Sequence, residues 1–159
     1  MMKTTIQLVV LSGALAVTSL AVAGTGKGYE INTVGEPQVM SDGTIVREVG
    51  ADSIWFVEGQ PEGFPSILKA RCTAIYVMGP DYSNKGSTYR CTATDADGDG
   101  YVNVGSITGA DWSVCSFKTV AGWGKYAGAA VSGVCQPTGS FAGPDTGSFH
   151  WTGEWALPE

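Results

Sequence analysis

Three aspartates in residues 95–100 (DADGDG) are the side chains whose spacing best suits a metal ion. Oxygen ligands at alternate positions, followed by a glycine that permits a sharp turn, match the first half of an EF-hand calcium loop. The match then fails, because the twelfth position from Asp95 is Ser106 and not a bidentate glutamate. We therefore favour a tight hairpin turn, and we predict that calcium, if it binds at Asp95, Asp97 and Asp99, binds weakly. The sequence predicts no other cofactor.

Four cysteines, Cys72, Cys91, Cys115 and Cys135, are the next residues with chemical potential. They show no CxxC spacing, and the single histidine, His150, lies far along the chain. This arrangement argues against a shared zinc site. An even number of cysteines in an exported protein forms disulfides, so we predict two disulfide bonds.

No catalytic constellation can be identified in the sequence. His150 has no inferable Ser–His–Asp partners, and it lies on the polar face of the last predicted strand. Catalysis would require a buried ionisable residue facing an open cavity. The nearest candidates by sequence are Glu58, Asp111 and Glu154. The glycine-rich run at residues 122–128 fits no phosphate-binding template, and we interpret it as a turn between strands.

Residues 1–23 have the pattern of a secretory signal peptide. They contain one early charge, Lys3, then an apolar run, and they close on Ala-Val-Ala at residues 21–23. We predict a cleaved signal peptide, a secreted or periplasmic location, and one domain over residues 24–159. The apolar run is shorter than the ~20 residues that a bilayer-spanning helix needs, so we predict no membrane insertion of the mature chain.

The mature chain is acidic. Removing Lys3 from nine basic residues leaves eight against fifteen acidic ones, a net charge of −7. A chain of this charge without a basic run lacks the electrostatic footprint that nucleic-acid binding requires. We therefore predict no nucleic-acid partner.

The first third of the mature chain is less regular than the rest. Residues 24–40 supply at best a first edge strand, and the glycine-rich residues 24–28 are expected to form a flexible new N-terminus. Residues 43–49 and 53–58 are predicted as two strands joined by a turn at residues 50–52.

From Ile67 onward, short apolar-alternating runs are separated by turn residues about every ten positions. This pattern predicts an all-β domain, either an antiparallel sandwich or a barrel. The last run, residues 148–157, places Phe149, Trp151 and Trp155 on one face. That face is expected to be buried.

Strand register predicts which cysteines pair. If the strands flanking the loop GPDYSNKG form a hairpin, antiparallel pairing places Cys72 opposite Cys91. The same construction about Lys125 places Cys115 opposite Cys135. We predict the disulfides Cys72–Cys91 and Cys115–Cys135; pairing between non-adjacent strands is the alternative.

Two segments carry a family resemblance. The run CTATDADGDGYVNV, then AGWGKYAGAAVSG and a closing strand rich in glycine and aromatic residues, resembles the bacterial exported relatives of the allene oxide cyclase barrel group, which includes dirigent proteins. The resemblance covers roughly Ala70 to Leu157, with Trp123 where these relatives usually have threonine and Ala121 in place of a glycine. It implies a single eight-stranded antiparallel barrel with an apolar interior, which the two disulfides would staple.

The resemblance also implies a function for the barrel interior. Cyclases and dirigent proteins hold a reactive hydrophobic molecule in a shaped cavity, so a small hydrophobic ligand and cyclase- or isomerase-like activity are expected here. The alternative is a non-catalytic structural or self-assembling envelope protein that forms a homo-oligomer. The residues expected to face a ligand are Trp55, Tyr76, Phe149, Trp151 and Trp155.

Overall fold

The computed structural model describes residues 21–140 and 142–157. Turn residues divide this part of the chain into nine strands, and one short 3-10 turn at Gly124–Tyr126 precedes β8. The strands are β1 (Ala21–Val34), β2 (Gln38–Val39), β3 (Ile45–Glu58), β4 (Ile67–Met78), β5 (Ser87–Thr94), β6 (Gly100–Thr108), β7 (Val114–Trp123), β8 (Ala130–Gly139) and β9 (Thr146–Ala156).

Eight of these strands close into an antiparallel barrel. From β3 to β9 each strand pairs with its neighbour in sequence, and β1 pairs with both β9 and β3. The two-residue β2 only extends one edge of β3. The prediction of an all-β, eight-stranded antiparallel barrel is confirmed, and of the two architectures that the strand pattern allowed, the chain adopts the barrel.

β3 is one strand, where the sequence predicted two strands and a turn. Residues 50–52 pair with residues 71–73 of β4 on one side and with residues 31–33 of β1 on the other. The pairing satisfies their backbone groups without a turn, which overrides the turn preference of glycine and aspartate.

β1 corrects a second expectation, because its glycine-rich part is a paired barrel strand and not a flexible terminus. Gly26, for example, lies between Val57 of β3 and Trp151 of β9. A Cβ atom at position 26 would overlap both the Trp151 indole and the backbone of β3. Two further buried glycines are covered in the same way, Gly24 by Trp155 and Gly28 by Phe149.

The predicted signal peptide lies mostly outside the described residues. Residues 1–20 are not described, and residues 21–23 begin β1, where they pair with residues 154–156 of β9. Within the described ranges, no helix is long and apolar enough to cross a membrane.

Aromatic side chains fill one end of the barrel, which we call the packed end. Trp155, with 1% of its surface exposed, is contacted edge-on by Phe64 at 5.6 Å and by Tyr101 at 5.9 Å between ring centroids. Tyr126, fully buried, packs against Phe64 at 5.0 Å. Because Phe64 comes from the β3–β4 loop and Tyr126 from the 3-10 turn, connections between strands plug this end of the barrel.

Both predicted disulfides are present. Cys72 and Cys91 are register partners on β4 and β5, and Cys115 and Cys135 are register partners on β7 and β8. The described residues contain no free cysteine. Each bond therefore links two adjacent strands across the barrel wall, as the hairpin registers predicted.

Candidate functional site

The barrel interior contains a half-open cavity of about 330 Å³. It lies between the packed end and the opposite end of the barrel, which we call the open end. At the open end β1 ends at Val34 and β4 ends at Met78. The aromatic residues that line it are Trp55, Tyr76, Tyr89, Tyr101, Phe117, Phe149 and Trp151.

Four of the five residues expected to face a ligand line this cavity. They are Trp55, Tyr76, Phe149 and Trp151. Trp155 is not part of the lining, because it lies two inward positions closer to the packed end than Trp151 and is enclosed there by Phe64, Tyr101 and Tyr126. Inward orientation was therefore predictable for the whole face of β9, but depth along the barrel was not.

The aromatic lining residues project into the cavity because each strand alternates inward and outward residues, and several of their rings contact one another. Phe149 of β9 contacts Trp55 of β3 edge-on, with 6.3 Å between ring centroids. Phe117 of β7 contacts Trp151 of β9 in the same way at 6.1 Å. Such edge-to-face pairs contribute roughly 0.5–1.5 kcal/mol each beyond area burial, so they hold the rings in place.

Small inward residues explain why the interior is not filled. Ala51 of β3, Ala74 of β4 and Gly147 of β9 all lie in the cavity lining. An eight-stranded barrel has room for its side chains alone or for one small ligand, depending on the size of those side chains. In this barrel the small residues leave space that the large rings do not occupy.

Both disulfides also lie in the cavity wall. The Tyr89 hydroxyl donates a hydrogen bond to the Ser116 carbonyl oxygen at 3.0 Å and lies 3.3 Å from Cys115 Sγ and 3.4 Å from Cys135 Sγ. Burial raises the pKa of Tyr89 well above its usual range. Tyr89 therefore remains a neutral donor that ties β5 to the β7–β8 disulfide.

Glu30 of β1 is the one acidic residue in the lining among the residues that the structure describes. Its carboxylate lies over Gly147 of β9, where a Cβ atom would overlap it. Burial raises the pKa of Glu30. Burial, with a contribution from the Glu30 charge, also raises the pKa of the neighbouring lining residue Tyr76.

The sequence reasoning missed Glu30 because β1 was interpreted as an edge strand at best. The usable signal was the alternation in β1, in which Gly24, Gly26, Gly28, Glu30 and Asn32 share the inward side. The three acids that the sequence suggested as candidates for catalysis lie outside the cavity lining and are exposed: Glu58, Asp111 and Glu154.

The aspartate-rich turn lies at the packed end, between β5 and β6. Asp95 accepts hydrogen bonds from the amides of Asp97 at 2.9 Å and Asp99 at 3.1 Å, as expected of a tight turn. Lys125 Nζ lies 3.0 Å from Asp95 Oδ2 and 2.9 Å from Asp97 Oδ2. One ammonium group thus lies between two of the three carboxylates.

Electrostatics at this turn follow from that contact. Burial raises the pKa of Asp95, but hydrogen bonds from Lys125 and from the turn amides outweigh it and leave the pKa below its ordinary value. Among the described residues, no group of three histidine, cysteine or acidic side chains is arranged to hold a metal ion. Weak calcium binding at Asp95, Asp97 and Asp99 stays a prediction.

Trp123, at the end of β7, contacts the same turn. Trp123 Nε1 donates a hydrogen bond to the Gly98 carbonyl oxygen at 2.8 Å. Residues 122–128 thus comprise the end of β7, the 3-10 turn with the buried Tyr126, and two turn residues, and they contact the aspartate turn through Trp123 and Lys125. His150 is exposed on the outer face of β9, opposite Lys27 of β1 and away from the cavity.

Comparison of this chain with protein-family models, with curated proteins and with solved structures finds no match.

Proposed function

We propose that this protein is an exported barrel that binds one small, mainly apolar molecule in the half-open cavity. The observation that carries the proposal is a cavity of about 330 Å³ walled by seven aromatic side chains. Ligand sites in proteins are concave, mostly apolar and roughly 300–1,000 Å³ in volume, with a few polar groups that fix orientation. Glu30, Asn32 and Asn103 are such polar groups in this lining.

Export is part of the proposal and rests on the signal-peptide pattern of residues 1–23 and on the two disulfides. Disulfides persist in oxidising compartments and are rare in the cytosol. Determining the N-terminal residue of the protein recovered from a periplasmic or culture-medium fraction tests this part. Gly24 is the expected first residue.

Membership of the allene oxide cyclase barrel-like group and cyclase- or isomerase-like activity belong to the same proposal. An eight-stranded barrel with an aromatic cavity is the arrangement that such activity needs, because it holds a flexible reactive molecule in one shape. Glu30 is the ionisable residue best placed to act on a bound molecule, since it lies in the cavity wall.

A cavity-filling variant tests ligand binding. Ala74→Phe places a ring in the cavity. Thr73→Phe, at the neighbouring residue of β4, places the same ring on the outer surface of the barrel. We expect the neutral fluorescent probe N-phenyl-1-naphthylamine to bind the wild-type protein and Thr73→Phe but not Ala74→Phe. Ala51→Phe repeats the test if Ala74→Phe fails to fold, as judged by circular dichroism.

Two results would contradict the proposal. One is that the probe does not bind the folded wild-type protein. The other is that it binds the cavity-filling and outer-face variants with equal affinity. Native mass spectrometry of the purified protein adds an independent readout, since a co-purifying small molecule should be present in the wild type and absent from Ala74→Phe.

A structural, self-assembling role is the second candidate, and an apolar patch on the outer wall favours it. Tyr29, Ile54, Phe56 and Ile67 have 40–51% of their surfaces exposed and are neighbours across β1, β3 and β4. Contiguous apolar patches on a protein surface often mark contacts with partners. Light scattering of the wild type and of Ile54→Lys tests it: a symmetric oligomer that the variant converts to monomer supports this role.

A further inference from the structure

Glu30 is the single charged side chain in the cavity lining of the described chain. It projects from the inner side of β1 near the open end and is partly buried. The surrounding wall is apolar and aromatic, with Trp55, Tyr76 and Phe149 all in the same lining. A carboxylate in such surroundings loses hydration, which costs free energy unless another group compensates it.

No group of the described chain provides that compensation. Within those residues, Glu30 takes part in no ion pair and in no side-chain hydrogen bond. The nearest cationic residue on β1, Lys27, projects from the outer face. Arg47 of β3 is on the inner side by alternation, but it lies beyond Val49 toward the rim, outside the lining, and makes no ion pair with Glu30.

Within the described residues, the other titratable groups that line the same cavity are the phenols of Tyr76, Tyr89 and Tyr101. Burial raises the pKa of all three, so they are neutral at physiological pH. Asp52 of β3 and His150 of β9 lie on the outer face of the barrel. Of the residues that the structure describes, Glu30 therefore supplies the one acidic side chain of the cavity wall, and none of their cationic groups pairs with it.

A carboxylate in a cavity that aromatic side chains line has a specific chemical complement. The faces of tryptophan, tyrosine and phenylalanine rings attract cations through their negative quadrupole, and the attraction is stronger where the pair is shielded from water. The carboxylate adds a charge-assisted hydrogen bond to an ammonium donor. An organic cation with an apolar body satisfies both features, and neither an anion nor a neutral hydrocarbon does.

We propose that the molecule held in the cavity is a hydrophobic amine or related organic cation whose charge pairs with Glu30 while its apolar body lies against the aromatic wall. This inference rests on the proposed function, that the cavity binds a small molecule. It assigns the chemical class of that molecule and makes Glu30 its specificity-determining residue.

Three probes with one naphthalene body test the assignment. 1-Naphthylmethylamine is the cation, 1-naphthalenemethanol the neutral analogue and 1-naphthoate the anion. We expect isothermal titration calorimetry at neutral pH to show that the amine binds wild-type protein about tenfold more tightly than the alcohol, which corresponds to about 1.4 kcal/mol. The anion is expected to bind more weakly than either.

Glu30→Gln keeps the shape of the side chain and removes its charge. We expect it to reduce the preference for the amine over the alcohol to about threefold or less, with little change in the affinity for the alcohol. Glu154→Gln, on the outer face of β9, is the matched control and should keep the full preference. In the wild type the preference should shrink as pH falls through the raised pKa of Glu30, because the protonated carboxyl no longer pairs with a cation.

The outcomes separate the two proposals. Equal binding of amine and alcohol to the wild type, or a preference for the amine that stays at about tenfold in Glu30→Gln, overturns the cation assignment while leaving the cavity a ligand site. Tightest binding of the anion overturns it as well and points to Arg47 at the rim. Failure of all three probes to bind the folded wild type counts against both the cavity as a ligand site and the cation assignment.

Discussion

The indole of Trp151 lies across Gly26, its register partner on the neighbouring strand β1. A side chain at position 26 would occupy the same space as that ring, so the bulk of Trp151 depends on the absence of bulk at Gly26. Phe149 has the same relationship to its register partner Gly28, and Trp155 lies over Gly24, two residues along β1 from its own register partner Val22. The aromatic side chains of β9 thus pack directly against the backbone of three glycines in β1.

We predict that Gly26→Ala destabilises the barrel by roughly 1–3 kcal/mol, because an added methyl group in a packed interior forces side chains and backbone to shift. Urea denaturation measures the change in the free energy of unfolding. Lys27→Ala, one position along and on the outer face, is the control and should change it by about 0.5 kcal/mol or less. Equal effects of the two substitutions would show that β1 is not packed as described.

We predict that substitutions on the aromatic face of β9 reduce the stability of the barrel more at the packed end and ligand affinity more at the cavity. Trp155→Ala should cost roughly 3–5 kcal/mol, because the ring is fully packed between Phe64, Tyr101 and Tyr126. Phe149→Ala, at the cavity, should cost less and reduce the affinity for a naphthalene probe more. Denaturant melts and probe titrations of both variants check this difference. The control His150→Ala, exposed between them, should change stability by about 0.5 kcal/mol or less.

Each disulfide should stabilise the barrel by roughly 3 kcal/mol in the loop-entropy account, since each closes a loop of about twenty residues. Non-reducing peptide mapping should recover Cys72–Cys91 and Cys115–Cys135, and the double variant Cys72→Ala, Cys91→Ala should lower the free energy of unfolding by that amount. A Cys91–Cys115 peptide would be incompatible with the strand register.

Lys125 should contribute stability in a pH-dependent way. The folded-state pKa of Asp95 is depressed, so the interaction contributes stability above the unfolded-state pKa and loses it as pH falls through the folded-state value. We expect Lys125→Gln to be less stable than the wild type at pH 7 and the difference to shrink under acid conditions. Thermal melts across pH measure it. A difference that persists unchanged at low pH would rule out the Asp95 contact as its cause.

The same variant tests calcium binding at the aspartate turn. In the wild type, micromolar calcium should leave the melting temperature unchanged, because an ammonium group already lies against Asp95 and Asp97. In Lys125→Gln, the uncompensated carboxylates repel one another, so millimolar calcium should recover part of the lost stability. A large rise in the wild-type melting temperature at micromolar calcium would mean that the EF-hand-like half motif is a real site.

The features that the sequence predicted correctly are those set within a single hairpin or strand. The pairing of Cys72 with Cys91 follows from period-two alternation and antiparallel counting, both of which act within a single hairpin. The inward direction of Trp151 follows from the same alternation. What the sequence concealed is the role of β1, because glycine has low intrinsic strand preference and the rings that bury its glycines lie in the distant strand β9.

Glu30 was missed for the same reason. Its importance depends on being inside a closed wall, and closure is decided by the pairing of β1 with both β3 and β9. Trp155 is excluded from the cavity for a similar reason, because Phe64 and Tyr126 enclose it. These two residues come from connections between strands, and no local sequence pattern predicts the path of those connections.

Closure of the wall through β1 also sets the order in which the barrel can be completed during folding. β1 is the earliest of the described strands in the chain and β9 is the latest, yet they form one continuous ladder from Ala21 to Ile31. Contacts between such distant segments carry a high loop-closure cost, which slows folding. Until β9 arrives, the glycine face of β1 and the aromatic interior have no cover, so the residues that later line the cavity stay exposed until that step.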